Sequence, residues 1–112
     1  MQKEDEIRLR HMLDAAREAI IFARNETRAS LNKDRKLEFA LVKAIEIVGE
    51  AAAKVTAECR NDSSQIPWSN IIGMRNRLIH AYFDINLDIL WKTVTEDLPP
   101  LIAELENIVE PE

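Results

Sequence analysis

The stretch MRNRLIHAYFD, residues 74–84, gathers side chains that could cleave a phosphodiester bond: Arg75, Asn76, Arg77, His80 and Tyr82. An imidazole titrates near neutrality, so His80 could remove the proton from a ribose 2′-hydroxyl. A guanidinium fork binds phosphate oxygens, so Arg75 could stabilise the charge that develops in the transition state. Such a reaction on RNA needs no metal ion. The same residue types near the end of a helix could instead cap its carbonyl groups, and the chemistry alone leaves both interpretations open.

The spacing of these residues poses a geometric problem. On an ideal helix Arg75 and His80 lie about 140° apart around the axis, and therefore do not share a face. Either the helix loosens near His80, or the two residues line a cleft whose other wall comes from elsewhere, a second copy of the chain being one candidate. Asn76 precedes His80 by four positions, which predicts that it lies on the same helical face and orients the imidazole.

The elements that must position these side chains are predicted to be helices. Apolar residues recur at steps of three and four positions, which predicts an antiparallel bundle of four to five helices over residues 4–25, 34–60, 68–80, 87–96 and a last segment beyond Asp97. The polar run NETRASLNKD is predicted to be a loop. Gly49 lies among small residues and is predicted to mark a helix crossing. Asp97 is a candidate cap for the last helix, with Pro99 and Pro100 in its first turn.

Composition limits the class of protein. A chain of 112 residues with 46% hydrophobic and 31% charged residues is expected to form one folded domain over residues 1–112. The net charge of -5 argues against broad electrostatic binding to nucleic acid, although a local basic site remains compatible with it. Cys59 is the single cysteine, and no metal-ligand spacing surrounds it. With no apolar leader or membrane-length run, we expect a cytoplasmic protein without membrane attachment.

The run MRNRLIHAYFDINLDILWKTVTEDLPPLIAEL closely resembles the HepT-like branch of the HEPN superfamily. The motif of that branch is Arg-x-x-x-x-His with a tyrosine two residues after the histidine, and Arg75, His80 and Tyr82 match it position by position. Asn76 occupies the usual position after the arginine. The segments IEIVGEAAAKV and IPWSNIIGMRN also resemble the helices that precede the family motif.

The resemblance implies a HEPN-like all-α homodimer whose paired motifs form a metal-independent endoribonuclease site, with Arg75 and His80 catalytic and Asn76 supporting. It further implies a toxin of a type VII-like toxin–antitoxin pair. A minimal nucleotidyltransferase antitoxin would neutralise it by attaching adenylyl groups to Tyr82. No cofactor is implied. Arg77 falls at a free position of the motif, and an RNA contact there is our own inference. The alternative is a non-catalytic helical module that binds a nucleotidyltransferase or a nucleotide.

Overall fold

The computed structural model describes residues 1–81 and 84–111, and for His80 and Ala81 it describes the backbone alone. Its elements in chain order are α1 (Lys3–Ala23), a 3-10 turn (Arg28–Asn32), α2 (Arg35–Ala53), α3 (Ala57–Asp62), α4 (Trp68–Ile72), α5 (Met74–Leu78), β1 (Ile79–Ala81), β2 (Asp84–Ile85), α6 (Leu87–Lys92), a π-helical turn (Thr93–Asp97) and α7 (Leu98–Val109). The prediction of an all-α fold is confirmed, because β1 and β2 form only a small two-stranded ribbon.

The two long helices α1 and α2 run antiparallel and form the centre of the core. Asp5, near the start of α1, accepts hydrogen bonds from Thr56, just beyond the end of α2. The apolar stripes expected from the sequence are buried between them and α7, and their fully enclosed side chains include Leu9, Met12, Leu13, Leu41, Ile45, Val48 and Leu105. None of the helices in the described part of the chain is long and apolar enough to cross a lipid bilayer.

The prediction of one helix over residues 34–60 is wrong, because α2 ends at Ala53 and α3 begins at Ala57. Thr56 caps the new helix through a hydrogen bond from the Cys59 N–H to its Oγ1, at 3.2 Å. Asp5 fixes this turn by accepting bonds from the Thr56 N–H at 2.9 Å and from its hydroxyl at 2.7 Å. The break is therefore stabilised by a contact from α1 that lies far away in the sequence.

Gly49 marks a helix crossing, as the sequence predicted. Helix α4 crosses α2 there, and a Cβ added at Gly49 would lie 3.5 Å from the carbonyl oxygens of both Ile71 and Ile72. This is an ordinary van der Waals distance, so the crossing leaves room for a methyl group.

The prediction that Asp97 caps a separate last helix is wrong. Asp97 has helical dihedral angles (φ -90°, ψ -37°) and its side chain makes no capping bond, so helical structure continues from α6 through the π-helical turn into α7. Pro99 and Pro100 have no N–H to donate, and their rings need space beside the preceding turn. The wide π-helical turn accommodates them, because its hydrogen bonds span five residues rather than four. The helix thus continues past two prolines.

Candidate functional site

The motif is carried by two short helices and a ribbon rather than by one helix. Gly73 separates α4 from α5, and α5 ends at Leu78, where Ile79 takes an extended conformation (φ -110°, ψ 106°). The prediction that this helix reaches about His80 is therefore wrong. The sequence left open whether the helix loosens near His80 or whether a second wall completes a cleft. The structure shows that the backbone leaves the helix before His80.

A backbone hydrogen bond closes the ribbon at its base. The Asn86 N–H donates to the Leu78 carbonyl oxygen at 2.7 Å, while the Asn86 side chain accepts from the Ile89 N–H at 3.0 Å and caps α6. In the ribbon Ile79 is paired with Ile85, and the register shifts beyond that pair. The backbone that carries His80 is thus held between the end of α5 and the start of α6.

Two of the predicted site residues lie at the limit of what the structure describes. His80 is placed by its backbone in β1, and Tyr82 lies outside the described residues. Asn76 is exposed on α5. Its expected position on the same helical face as His80 does not hold, because His80 is not on a helix.

Arg75 lies beside α2, where its guanidinium meets a carboxylate. Its Nε atom is 3.4 Å from Oε1 of Glu46, and the two side chains are 51% and 24% exposed. Arg75 and Glu46 line a groove of about 430 Å³ between α2 and the base of the ribbon, where Ile79 and Ile85 are also exposed to it. We call this the Arg75 groove. Among the described residues, its charged side chains are three cations and two carboxylates: Arg35, Lys43, Arg75, Glu38 and Glu46.

Arg77 lines a different groove. Residues two apart on a helix lie about 200° apart around the axis, and Arg77 accordingly faces a groove of about 500 Å³ between α4 and α7. Among the described residues, this Arg77 groove has an apolar lining that includes Ile66, Met74 and Leu101. Its charged lining residues there are Arg77 and three carboxylates, Glu96, Asp97 and Glu104. The structure therefore does not bring the two arginines of the motif into one groove.

Sequence reasoning missed the residues that α2 contributes to the Arg75 groove. Glu46 is one of 20 acidic residues in the chain, and it lies on a helix remote in sequence from the motif. The position of Glu46 in the apolar pattern of α2 predicts only that its side chain is partly exposed. Only the packing of α5 on α2 places its carboxylate beside Arg75. Within the described ranges, no group of three or more His, Cys, Asp or Glu side chains is arranged to hold a metal ion.

Comparison with known proteins gives a consistent set of relatives. Residues 12–108 match the model of a family described as ribonuclease HepT-like. A protein described as a probable ribonuclease HepT from Thermococcus cleftensis is 41% identical over 75 residues, which cover 67% of this chain and 68% of the relative. A protein described as a putative RNase from Caldanaerobacter subterraneus is 40% identical over 80 residues, 71% of each chain. Another so described, from Methanocaldococcus jannaschii, is 34% identical over 97 residues, 87% of this chain and 89% of the relative. No solved structure gives a significant match.

Proposed function

Because the chain belongs to the HepT-like ribonuclease family, we propose that it is an endoribonuclease whose catalytic residues are Arg75 and His80. The observation that carries the proposal is the position of the Arg75 groove. Arg75 lines it together with Ile79 and Ile85, the paired residues at the base of the ribbon, and His80 follows Ile79 directly in the chain. The groove also carries Arg35 and Lys43, both exposed. It supplies local positive charge to a chain whose net charge is -5.

The proposed reaction is transesterification at the ribose. The His80 imidazole takes the proton of the 2′-hydroxyl, and the 2′-oxygen attacks the adjacent phosphorus. The bond from phosphorus to the 5′-oxygen of the next nucleotide breaks, which leaves a 2′,3′-cyclic phosphate and a 5′-hydroxyl end. The Arg75 guanidinium stabilises the negative charge on the pentacoordinate phosphorus centre. No step uses a metal ion, so cleavage is expected to persist in EDTA.

We propose that the working unit is a homodimer with two motifs facing one cleft. In such a dimer the imidazole of one copy acts as the base, and the imidazole of the other protonates the leaving 5′-oxygen. Asn76, exposed beside Arg75, is a supporting contact in this proposal. Arg77 is proposed as an RNA contact only where its side chain extends out of the Arg77 groove, because the carboxylates there repel phosphate.

The catalytic proposal is tested with purified protein that carries no modification of Tyr82, incubated with several single-stranded RNAs in EDTA. Arg75→Ala and His80→Ala are each expected to abolish cleavage. His11→Ala is the matched control, since His11 is the other histidine of the chain and is exposed on α1. It should cleave like the wild type. Wild-type protein that leaves every RNA intact would rule out the ribonuclease proposal.

We further propose that the protein is the toxin of a toxin–antitoxin pair and that a minimal nucleotidyltransferase inactivates it by adenylylating Tyr82. Incubation with ATP and that enzyme should raise the mass by one or more adenylyl units and abolish cleavage. Both effects should be absent in Tyr82→Phe. Mass increments that persist in this variant would show that a different residue is modified.

A second candidate function is a non-catalytic module that binds a partner protein. The Arg77 groove favours it, because an apolar lining that also includes three carboxylates suits a basic protein segment better than RNA. The cleavage assay separates the two. A ribonuclease loses RNA cleavage on His80→Ala, whereas a binding module has none to lose.

A further inference from the structure

We propose that Glu46 is a positioning residue for Arg75, an inference that rests on the ribonuclease function proposed above. The carboxylate of Glu46 contacts Arg75 through Nε, at 3.4 Å from Oε1. A guanidinium held at Nε keeps both terminal nitrogens available, and these form the end of the fork that binds two phosphate oxygens side by side. No hydrogen bond to either terminal nitrogen of Arg75 is found among the described residues, so the contact with Glu46 is compatible with an accessible phosphate-binding end.

The two elements involved differ in rigidity. Glu46 lies in the middle of the 19-residue helix α2 between the buried residues Ile45 and Val48, both fully enclosed by the core. Arg75 lies on a helix of five residues, and half of its side chain is exposed. A long arginine side chain at such a site has many rotamers available. The contact transfers the fixed position of α2 to the guanidinium.

The effect on RNA binding should oppose the effect on turnover. A carboxylate beside a phosphate-binding arginine repels the substrate, so removing its charge should bind RNA equally well or more tightly. Losing the fixed position of the guanidinium should lower kcat, because small misplacements of a reacting group are costly in rate. A lower kcat with an unchanged or lower KM thus distinguishes positioning from a purely electrostatic role.

The test compares Glu46→Gln with Glu38→Gln. Glu38 is a partly exposed carboxylate on α2 that lines the same groove, and no ion pair joins it to Arg75 among the described residues. We expect Glu46→Gln to lower kcat about tenfold without raising KM, and Glu46→Asp to recover part of the loss. Glu38→Gln should leave kcat unchanged and alter only KM. Because the ion pair is partly exposed, it contributes little to stability. Glu46→Gln and Glu38→Gln should therefore unfold at the denaturant midpoint of the wild type.

A second measurement does not depend on cleavage. ¹⁵N relaxation of the Arg75 Nε–H group reports its mobility in the free protein, and it should become clearly more mobile in Glu46→Gln but not in Glu38→Gln. Unchanged order of Arg75 in Glu46→Gln overturns the proposal, as does an unchanged kcat in a protein that cleaves RNA. If the wild type cleaves no RNA, the ribonuclease proposal fails, and the mobility of Arg75 alone then decides whether Glu46 positions it.

Discussion

Replacing Gly49 by alanine should stabilise the protein, although the residue is buried at a helix crossing. Glycine in a helix interior costs about 1 kcal/mol relative to alanine, because it loses more conformational freedom on folding. The added Cβ would lie 3.5 Å from the Ile71 and Ile72 carbonyl oxygens, an ordinary contact that requires no movement of α4. We therefore expect the free energy of unfolding to rise by about 1 kcal/mol, and Tm to rise by roughly 4 °C for a domain of this size.

Urea denaturation followed by circular dichroism measures this change, and the neighbouring residue supplies an internal standard. Glu50 is exposed on the same helix. The difference in unfolding free energy between Glu50→Ala and Glu50→Gly gives the intrinsic preference for alanine at this point of α2. If the crossing is neutral toward a methyl group, the gain from Gly49→Ala equals that difference. Gly49→Leu should instead destabilise by about 1–3 kcal/mol, because the larger side chain must displace the α4 backbone.

A loss of stability in Gly49→Ala would refute the reasoning. It would mean that α4 approaches α2 more closely than the 3.5 Å contacts imply. A gain in Gly49→Leu would refute it from the other side, because α4 would then not cross α2 at this residue.

Three further predictions concern caps and titration. Asn86→Ala removes the hydrogen bond from the Ile89 N–H and should lower the free energy of unfolding, measured by urea denaturation, by about 1 kcal/mol. Asn86→Asp can still accept this bond and should retain most of the wild-type stability. Hydrogen bonds from Thr56 lower the pKa of Asp5 below its ordinary value of 3.8. Because this pKa is lower in the folded state, the stabilisation is present above about pH 4 and is lost as the pH falls through the folded pKa. Urea midpoints should show a shallower acid dependence in Asp5→Asn, and an identical pH dependence in the two proteins would contradict this. Burial raises the pKa of the Cys59 thiol, so a disulfide reagent at neutral pH should modify it far more slowly in the folded than in the urea-unfolded protein; equal rates would contradict its burial.

The sequence alone predicted the features that depend on local chemistry. The apolar stripes of α1 and α2 could be predicted because a helix places residues three and four apart on one face. The crossing at Gly49 could be predicted because the small side chains around it allow another helix to approach closely. The types of side chain at positions 75–82 were compatible both with phosphodiester cleavage and with helix capping, and the resemblance to a ribonuclease family rested on these residues together with their flanking segments.

The tertiary structure decided where helices end and which side chains meet. A contact from Asp5 stabilises the turn after α2, and α5 gives way to a ribbon whose base is closed by Asn86 bonding to Leu78. The π-helical turn before α7 lets the helix continue past its two prolines. The packing of α5 on α2 brings Glu46 to Arg75. A helix places its side chains with a fixed period, and that period can be recognised in the sequence. The contacts named above join residues outside this period, and they form only once the core has packed.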